Sequence, residues 1–251
     1  MQTRRTVLAA IAGAAVMRSS GQAASTDRIQ AVGFDIFTIF DPRSLDDAAE
    51  THFPGKGREL AGLWKTKLFD YFFLRTLNGR YVDCRQLGAD ALRFACATKG
   101  LTPDPEAIAA MVDVFFHLKI FPDSAEALRR MRDAGLRLAY VSNLTDAMLK
   151  SSGDAAGIAQ LFEQRLSTDQ VQAYKPDPRA YAMAERAFGL ERGKVLFAAT
   201  GGWDYAGAKS FGLETFWVNR TGALRENLGV EPDGEGRSLT DLANYAVARA
   251  R

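Results

Sequence analysis

Residues that commonly hold transition metals or form disulfides are scarce in this chain of 251 residues, which has two cysteines and two histidines. Cys84 and Cys96 are twelve positions apart, a spacing that matches no metal-binding motif. His52 and His117 have no partner motif, and we interpret both as structural. The sequence therefore indicates no metal site built on these residue types. The cysteines are interpreted as buried free thiols, although a disulfide is open in an oxidising compartment.

The chain also lacks a strong charge of one sign and any apolar run long enough to cross a bilayer. Its 32 basic and 30 acidic residues give a formal net charge of +2. The apolar run at residues 7–17 is shorter than the roughly 20 residues that a transmembrane helix needs. These features predict neither a basic nucleic-acid-binding protein nor an integral membrane protein.

The first 24 residues have the composition of an export signal. Arg4 and Arg5 precede the apolar run, and small and polar residues follow it at 19–24. This order is typical of a secretory signal peptide, and the arginine pair resembles a twin-arginine signal. We expect residues 1–24 to be removed on export to the periplasm; a disordered terminus is the alternative. Removal takes away three arginines and no acid, which leaves 29 basic against 30 acidic residues and a net charge of −1.

Strand-like and helical segments alternate along the rest of the chain. Residues 33–41 are predicted to form a buried strand that delivers Asp35 into a loop, and β-rich runs follow at 136–141, 195–199 and 214–218. Helical patterns separate these runs. Strands that alternate with helices predict an α/β fold with a Rossmann-like parallel sheet.

A helical block interrupts this alternation after the first strand. Residues 58–77 have apolar positions close to a 3.6-residue period, and Asp83 is a candidate N-cap for the next helix. An insertion at this point would form a lid over the strand ends. We therefore place a helical cap at residues 44–120 and the core at residues 27–43 and 121–251.

Polar residues that could carry out chemistry follow the predicted strands. Asp35 follows the first strand, Ser142 and Asn143 follow the second, and Asp204 comes after a glycine-rich turn. Lys175 lies in the segment before a helix. Because ligands bind at the carboxyl ends of parallel strands, we expect these side chains to form one site. A carboxylate there can attack an electrophilic carbon or phosphorus and form a covalent intermediate.

This series of residues resembles the haloacid dehalogenase superfamily, in particular its L-2-haloacid dehalogenase (type II) branch. The resemblance extends from about residue 29 to about residue 242 and includes segments outside the site. These segments are Phe53–Leu60, Leu63–Trp64, Arg80–Val82, Ala91–Phe94, Val171–Asp177, Trp203–Ala208 and Trp217–Gly222.

The resemblance implies a metal-independent hydrolase without a cofactor that acts on a small 2-haloacid. Asp35 would attack the α-carbon and expel halide, and water would then hydrolyse the aspartyl ester. Lys175 would keep Asp35 ionised, and Asp204 would position or deprotonate the water. Ser142 and Asn143 would donate hydrogen bonds to the substrate carboxylate and the departing halide. The resemblance also implies a homodimer.

Three further residues complete the predicted substrate site. Phe37 and Trp203 are expected in the pocket wall. Lys65 stands where this branch usually has an arginine that binds halide and carboxylate, and lysine keeps the charge but loses the planar pair of donors. Phosphatases of the superfamily usually have a second aspartate at the position of Phe37, which protonates the leaving alcohol. The absence of this second aspartate argues against phosphate-ester hydrolysis.

Other departures from the branch leave two alternatives open. Thr38-Ile39 replaces the usual Gly-Thr, Ala199 and Gly201 replace Ser and Asn, and Cys84 replaces a ring that commonly walls the halide site. One alternative is another hydrolase of the superfamily, acting on a phosphate ester or phosphonate. The other is a degenerate member that binds a small carboxylate or a partner protein without turnover.

Overall fold

The computed structural model describes residues 28–250. The predicted export signal at residues 1–24 therefore lies outside the described residues.

The described chain is built on one parallel sheet of six strands, in the order β3-β2-β1-β4-β5-β6. The strands are β1 (Ala31–Phe34), β2 (Arg137–Ser142), β3 (Gln164–Ser167), β4 (Val195–Ala199), β5 (Glu214–Val218) and β6 (Gly234–Gly236). Strand β1 lies between β2 and β4, so the residue that follows it emerges near the middle of the sheet edge. The parallel α/β prediction is confirmed.

Nine α-helices occur between residues 28 and 250. Four lie between β1 and β2 and are called the cap helices: α1 (Arg43–His52), α2 (Gly57–Leu77), α3 (Cys84–Thr98) and α4 (Pro105–Asp113). The others are α5 (Ser124–Asp133), α6 (Asp146–Ala155), α7 (Pro178–Phe188), α8 (Gly202–Phe211) and α9 (Leu239–Arg249). None of them has the length and apolar character needed to cross a bilayer.

Local signals in the sequence explain where two of the cap helices, α3 and α4, begin. The Asp83 carboxylate accepts a hydrogen bond from the Gln86 N–H at 2.8 Å, which caps α3 as predicted. Asp104 caps α4 in the same way, and Pro105 occupies its first position, where a missing N–H costs nothing. The exact division into cap and core remains a prediction.

The predicted strand over residues 33–41 is wrong beyond its first two residues. Strand β1 ends at Phe34, and residues Ile36–Thr38 form a short 3-10 helix. The Asp35 carboxylate accepts a hydrogen bond from the Phe37 N–H at 3.2 Å. This local bond caps the turn and competes with strand geometry, as aspartate side chains often do.

The two cysteines are free and buried. Both lie in α3, and twelve residues of helix separate their Cα atoms by about 18 Å, which is too far for a disulfide. Burial also raises the pKa of the Cys84 thiol. The two thiols therefore pack as small apolar groups, and the disulfide alternative is excluded.

Candidate active site

Asp35 lies at the carboxyl end of β1, where the 3-10 turn holds its side chain in a fixed position. Its main-chain N–H still continues the sheet by donating to the Ala198 carbonyl at 2.9 Å. The Thr38 hydroxyl donates to the Asp35 main-chain carbonyl at 2.7 Å, so this hydroxyl stabilises the turn and leaves the carboxylate alone.

Lys175 lies between two carboxylates and is almost completely buried. Its Nζ atom is 2.9 Å from Asp35 Oδ1 and 2.7 Å from Asp204 Oδ2. The Asn143 side-chain carbonyl accepts a hydrogen bond from the Lys175 N–H at 3.0 Å and so fixes the loop. Burial lowers the pKa of Lys175, but the charges of Asp204 and Asp35 outweigh burial, and the net pKa is raised. The lysine is therefore a permanent positive charge beside Asp35.

Asp204 is in the first turn of α8 and is fully buried. Burial raises its pKa to about 6, although the charge of Lys175 acts in the opposite direction. The Tyr181 hydroxyl donates a hydrogen bond to Asp204 Oδ1 at 2.8 Å. Helix α8 approaches α7 closely because residue 207 is glycine: a Cβ there would lie 2.6 Å from the Tyr181 hydroxyl. Asp204 is therefore buried and can still gain or lose a proton near pH 6.

Tyr181 is a site residue that the sequence interpretation missed. It is buried on the apolar face of α7, among residues that pack against the sheet. A tyrosine at such a helical position has the same periodicity as any core residue. Nothing in one sequence distinguishes its contact with Asp204 from ordinary packing.

A cavity of about 240 Å³ opens in front of Asp35. Its wall is mostly apolar, and it contains every residue predicted to bind substrate: Phe37, Lys65, Ser142, Asn143 and Trp203. The other lining residues are Ile36, Pro42, Leu45, Leu68, Phe69, Phe72, Phe115, Leu144, Thr200 and Gly201. The structure therefore brings the predicted residues together, while their individual roles remain predictions.

The uncharged donors of the cavity lie at the ends of β2 and β4. The Ser142 hydroxyl accepts a hydrogen bond from the Leu144 N–H at 3.1 Å, which leaves its own proton available. Because the carbonyl oxygen of Asn143 is engaged by Lys175, the amide nitrogen is the part of this side chain left to donate. The Thr200 hydroxyl is buried and has no partner within residues 28–250. These groups can bind a small polar or anionic ligand.

Lys65 lines the cavity, but its ammonium group is already engaged. Its Nζ atom is 2.6 Å from Oδ1 of Asp46, which lies in the first turn of α1. The two residues are 19 positions apart in the sequence and on different helices, so no local pattern could indicate this pair. Asp46 is the second residue near the site that sequence reasoning missed.

Trp203 connects the core to the cap at the cavity wall. Its ring makes edge contacts with Phe69 and Phe73 of α2, each with a centroid distance of 5.5 Å. Lys175 Nζ lies 6.0 Å from the Trp203 ring centroid, within the range of a cation–π contact. No group of three or more His, Cys, Asp or Glu side chains in the described part of the chain is arranged to hold a metal ion.

Comparisons with known proteins identify relatives of this chain. The sequence model of the haloacid dehalogenase-like hydrolases matches residues 16–212. An (S)-2-haloacid dehalogenase from Pseudomonas sp. (strain YL) is 40% identical over 228 residues, which cover 89% of this chain and 98% of that protein. Haloacetate dehalogenase H-2 from Moraxella sp. (strain B) is 37% identical over 207 residues, with 82% of this chain and 92% of that protein covered.

Solved structures show the same relationship. The L-2-haloacid dehalogenase from Xanthobacter autotrophicus with chloropropionic acid covalently bound superposes with a TM-score of 0.81 at 32% identity. The match covers 86% of this chain and 97% of that chain. With a family match over most of its length and relatives well above 30% identity, this chain belongs to the haloacid dehalogenase-like hydrolases.

Proposed function

We propose that this protein hydrolyses short 2-haloalkanoic acids to 2-hydroxy acids through an aspartyl ester on Asp35. The observation that carries the proposal is the arrangement of Asp35 at the cavity, with Lys175 bonded to it at 2.9 Å and Asp204 behind Lys175. The names of the relatives, (S)-2-haloacid dehalogenase and haloacetate dehalogenase, support the same reaction class.

In the first step, an Asp35 carboxylate oxygen attacks the α-carbon of the substrate. The carbon–oxygen bond forms as the carbon–halogen bond breaks, and halide leaves with the bonding electron pair. Lys175 Nζ, 2.9 Å from Asp35 Oδ1, holds the carboxylate in place for this attack. Chloropropionic acid covalently bound in the Xanthobacter enzyme supports a covalent path.

In the second step, water attacks the carboxyl carbon of the Asp35 ester. Asp204 accepts a proton from this water as the new carbon–oxygen bond forms. The acyl carbon–oxygen bond to the product then breaks, the product oxygen takes this proton from Asp204 to give the 2-hydroxy acid, and Asp35 loses its remaining proton to solvent. Ser142, Asn143 and Thr200 supply uncharged donors for the substrate carboxylate and the halide. Oxygen from water therefore enters Asp35 first.

Phosphate-ester hydrolysis fits the site less well. Phe37 occupies the position where a phosphatase of this superfamily would have its acid, and the cavity wall is mostly apolar. The remaining alternative is a protein that binds a ligand without catalysis, and a turnover assay distinguishes it from a hydrolase.

Isotope labelling of Asp35 tests the proposed function. A single turnover of 2-chloropropanoate in water enriched in ¹⁸O should place the label in Asp35, as read by peptide mass spectrometry. Asp35→Asn should abolish halide release, because an amide is a poor nucleophile, while the circular dichroism spectrum stays unchanged. Added chelator should leave the rate unchanged. Label that appears in the product on the first turnover would instead show direct attack by water.

We also propose that the protein is exported and that it forms a homodimer. The basic, apolar and small-residue order of residues 1–24 supports export through a twin-arginine-type signal to the periplasm. Exposed apolar side chains on the cap helices, among them Leu77 and Phe94, support an interface between two copies.

Export predicts a shortened mature chain. Protein isolated from the periplasm of its native host should begin near residue 25, because the small-residue segment is where a signal peptidase cleaves. Intact-mass measurement reads this directly, and variants of Arg4 and Arg5 to lysine should accumulate uncleaved. Periplasmic protein that keeps Met1 would contradict the export proposal.

A further inference from the structure

The cation that faces the cavity is not free to bind a ligand. Within residues 28–250, Lys65 is the single lysine or arginine that lines the cavity. Its ammonium group lies 2.6 Å from the Asp46 carboxylate, and the two side chains are 31% and 26% exposed. An anion that enters the cavity must therefore compete with Asp46 for this charge.

The charges around the cavity do not favour an anion as they stand. Lys175 is bonded to two carboxylates, and Lys65 is bonded to a third. Two ammonium groups thus meet three carboxylates, those of Asp35, Asp204 and Asp46, for a formal net charge of −1. A small carboxylate or a halide ion is repelled by such a set at short range.

The position of Asp46 is fixed by its helix. Helix α1 begins beside Ser44, whose hydroxyl accepts a hydrogen bond from the Lys119 N–H at 3.1 Å and so ties the helix to the chain that returns from the cap. From this anchored turn, Asp46 reaches Lys65 of α2. The next residue, Asp47, points elsewhere and pairs with Lys119 at 3.0 Å in an exposed contact.

We propose that Asp46 is a specificity-determining residue that holds the Lys65 ammonium and weakens the affinity of the cavity for small anions. The inference rests on the proposed function for the identity of those anions, which are the carboxylate of the substrate and the released halide. Substrate affinity then depends chiefly on the apolar wall and the uncharged donors, and the halide product leaves easily.

Anion binding to the full-length protein tests this role without any turnover. The dissociation constants of propionate and of bromide are measured by titration calorimetry for wild type, Asp46→Asn and Asp47→Asn. The asparagine at position 46 keeps the shape of the side chain and removes its charge, so Lys65 becomes available. We expect Asp46→Asn to bind anions about fivefold more tightly, the upper range for one partly exposed ion pair. Asp47→Asn, with the same change in net charge, should bind as wild type does.

A double variant identifies the route of the effect. Lys65→Met removes the cation, so Asp46→Asn in that background relieves only the repulsion by the carboxylate and should give a smaller gain than it does beside Lys65. A gain of the same size in that background, or an Asp46→Asn affinity no higher than that of Asp47→Asn, would overturn the inference. A gain confined to propionate assigns Lys65 to the carboxylate, and one confined to bromide assigns it to the halide. If no variant releases halide from any 2-haloacid but the binding pattern holds, the proposed function fails and the role of Asp46 stands.

Discussion

At the scale of single residues, burial and nearby charges set the pKa of Asp204 and so make it suited to act as the base in ester hydrolysis. Its pKa is raised to about 6, chiefly by burial, so the carboxylate is mostly ionised at neutral pH and still a better base than an exposed aspartate. A general base works best when its pKa is near the working pH. Lys175 has a different role: its raised pKa keeps a positive charge beside the Asp35 carboxylate.

Hydrolysis of the ester should therefore fall in acid. The negative charge of Asp35 is one of the causes that raise the Asp204 pKa to about 6. This charge is absent in the ester, so the midpoint should lie below pH 6. Above the midpoint Asp204 is ionised and can accept a proton from water; below it the rate should drop about tenfold per pH unit. Tyr181→Phe removes a hydrogen bond that lowers this pKa, so the midpoint should move to higher pH. Single-turnover rates of ester hydrolysis measured from pH 4 to pH 8 give the midpoints of wild type and of Tyr181→Phe.

Tyr205→Phe is the matched control for this experiment. The Tyr205 hydroxyl is buried and has no hydrogen-bond partner in the described part of the chain, so its removal should leave the midpoint where it is. A Tyr181→Phe midpoint equal to that of wild type would mean that Asp204 is not the group that titrates.

Without the family resemblance, which indicated Lys65, the sequence predicts a site residue best where its position along the chain implies its position in space. Asp35, Ser142 and Asp204 follow strands, and parallel strands place their ends at one edge. Tyr181 and Asp46 act through partners on other helices. No comparable rule tells which residue of another helix a helical side chain will contact. Their contacts depend on how the helices pack, which one sequence does not contain.

At the scale of elements, one face of α2 forms much of the cavity wall. Lys65, Leu68, Phe69 and Phe72 follow the spacing i, i+3, i+4 and i+7, which places them on one side of the helix. The same spacing predicted the helix itself, over residues 58–77, and the structure has it at Gly57–Leu77. The pattern could not tell which apolar positions face the cavity and which face the core, because both need the same residue types.

This wall predicts a preference for longer alkyl chains. Each methylene group buried against it adds about 0.8 kcal/mol of binding, or roughly fourfold in kcat/KM. Activity should therefore rise from chloroacetate through 2-chloropropanoate to 2-chlorobutanoate. Phe69→Ala should reduce this gradient because it removes a ring from the wall. Initial rates of chloride release across the series measure the gradient.

Phe73→Ala serves as the comparison for Phe69→Ala. Both rings lie 5.5 Å from the Trp203 ring, but Phe73 does not line the cavity. A flat gradient in wild type, or the same loss in both variants, would show that the apolar wall does not select chain length.

Elements that the sequence did not reveal have a common physical cause. Strand β3 (Gln164–Ser167) is partly polar, and β6 (Gly234–Gly236) contains two glycines. Neither has the apolar alternation typical of a strand. Each extends because it pairs with a neighbour, β3 with β2 and β6 with β5. In contrast, the apolar run after β1 looks like a strand and turns because Asp35 caps it.

At the scale of the whole molecule, the cap is bonded to the loop that carries Lys175. The Tyr174 N–H donates to the Thr76 hydroxyl at 3.0 Å, and the Tyr174 hydroxyl donates to the Val82 carbonyl at 2.7 Å. The Tyr81 hydroxyl donates a hydrogen bond to Asp169. The two Tyr174 bonds tie the cap to the residue next to Lys175, so a movement of the cap would also displace the charge beside Asp35.

Outer faces of the cap helices should form the contact between two copies of the chain. Leu74 and Leu77 of α2 and Phe94 of α3 are exposed, with Leu77 at 82%, and an apolar surface of this kind is stabilised when a partner covers it. Wild-type protein should sediment as a dimer, and Leu77→Lys should sediment as a monomer, because a charge in an apolar contact is costly to desolvate. Leu224, which is 92% exposed in the loop after β5, provides the control: Leu224→Lys should leave the dimer intact. A monomeric wild type, or a dimer that survives Leu77→Lys, would place the contact elsewhere or remove it.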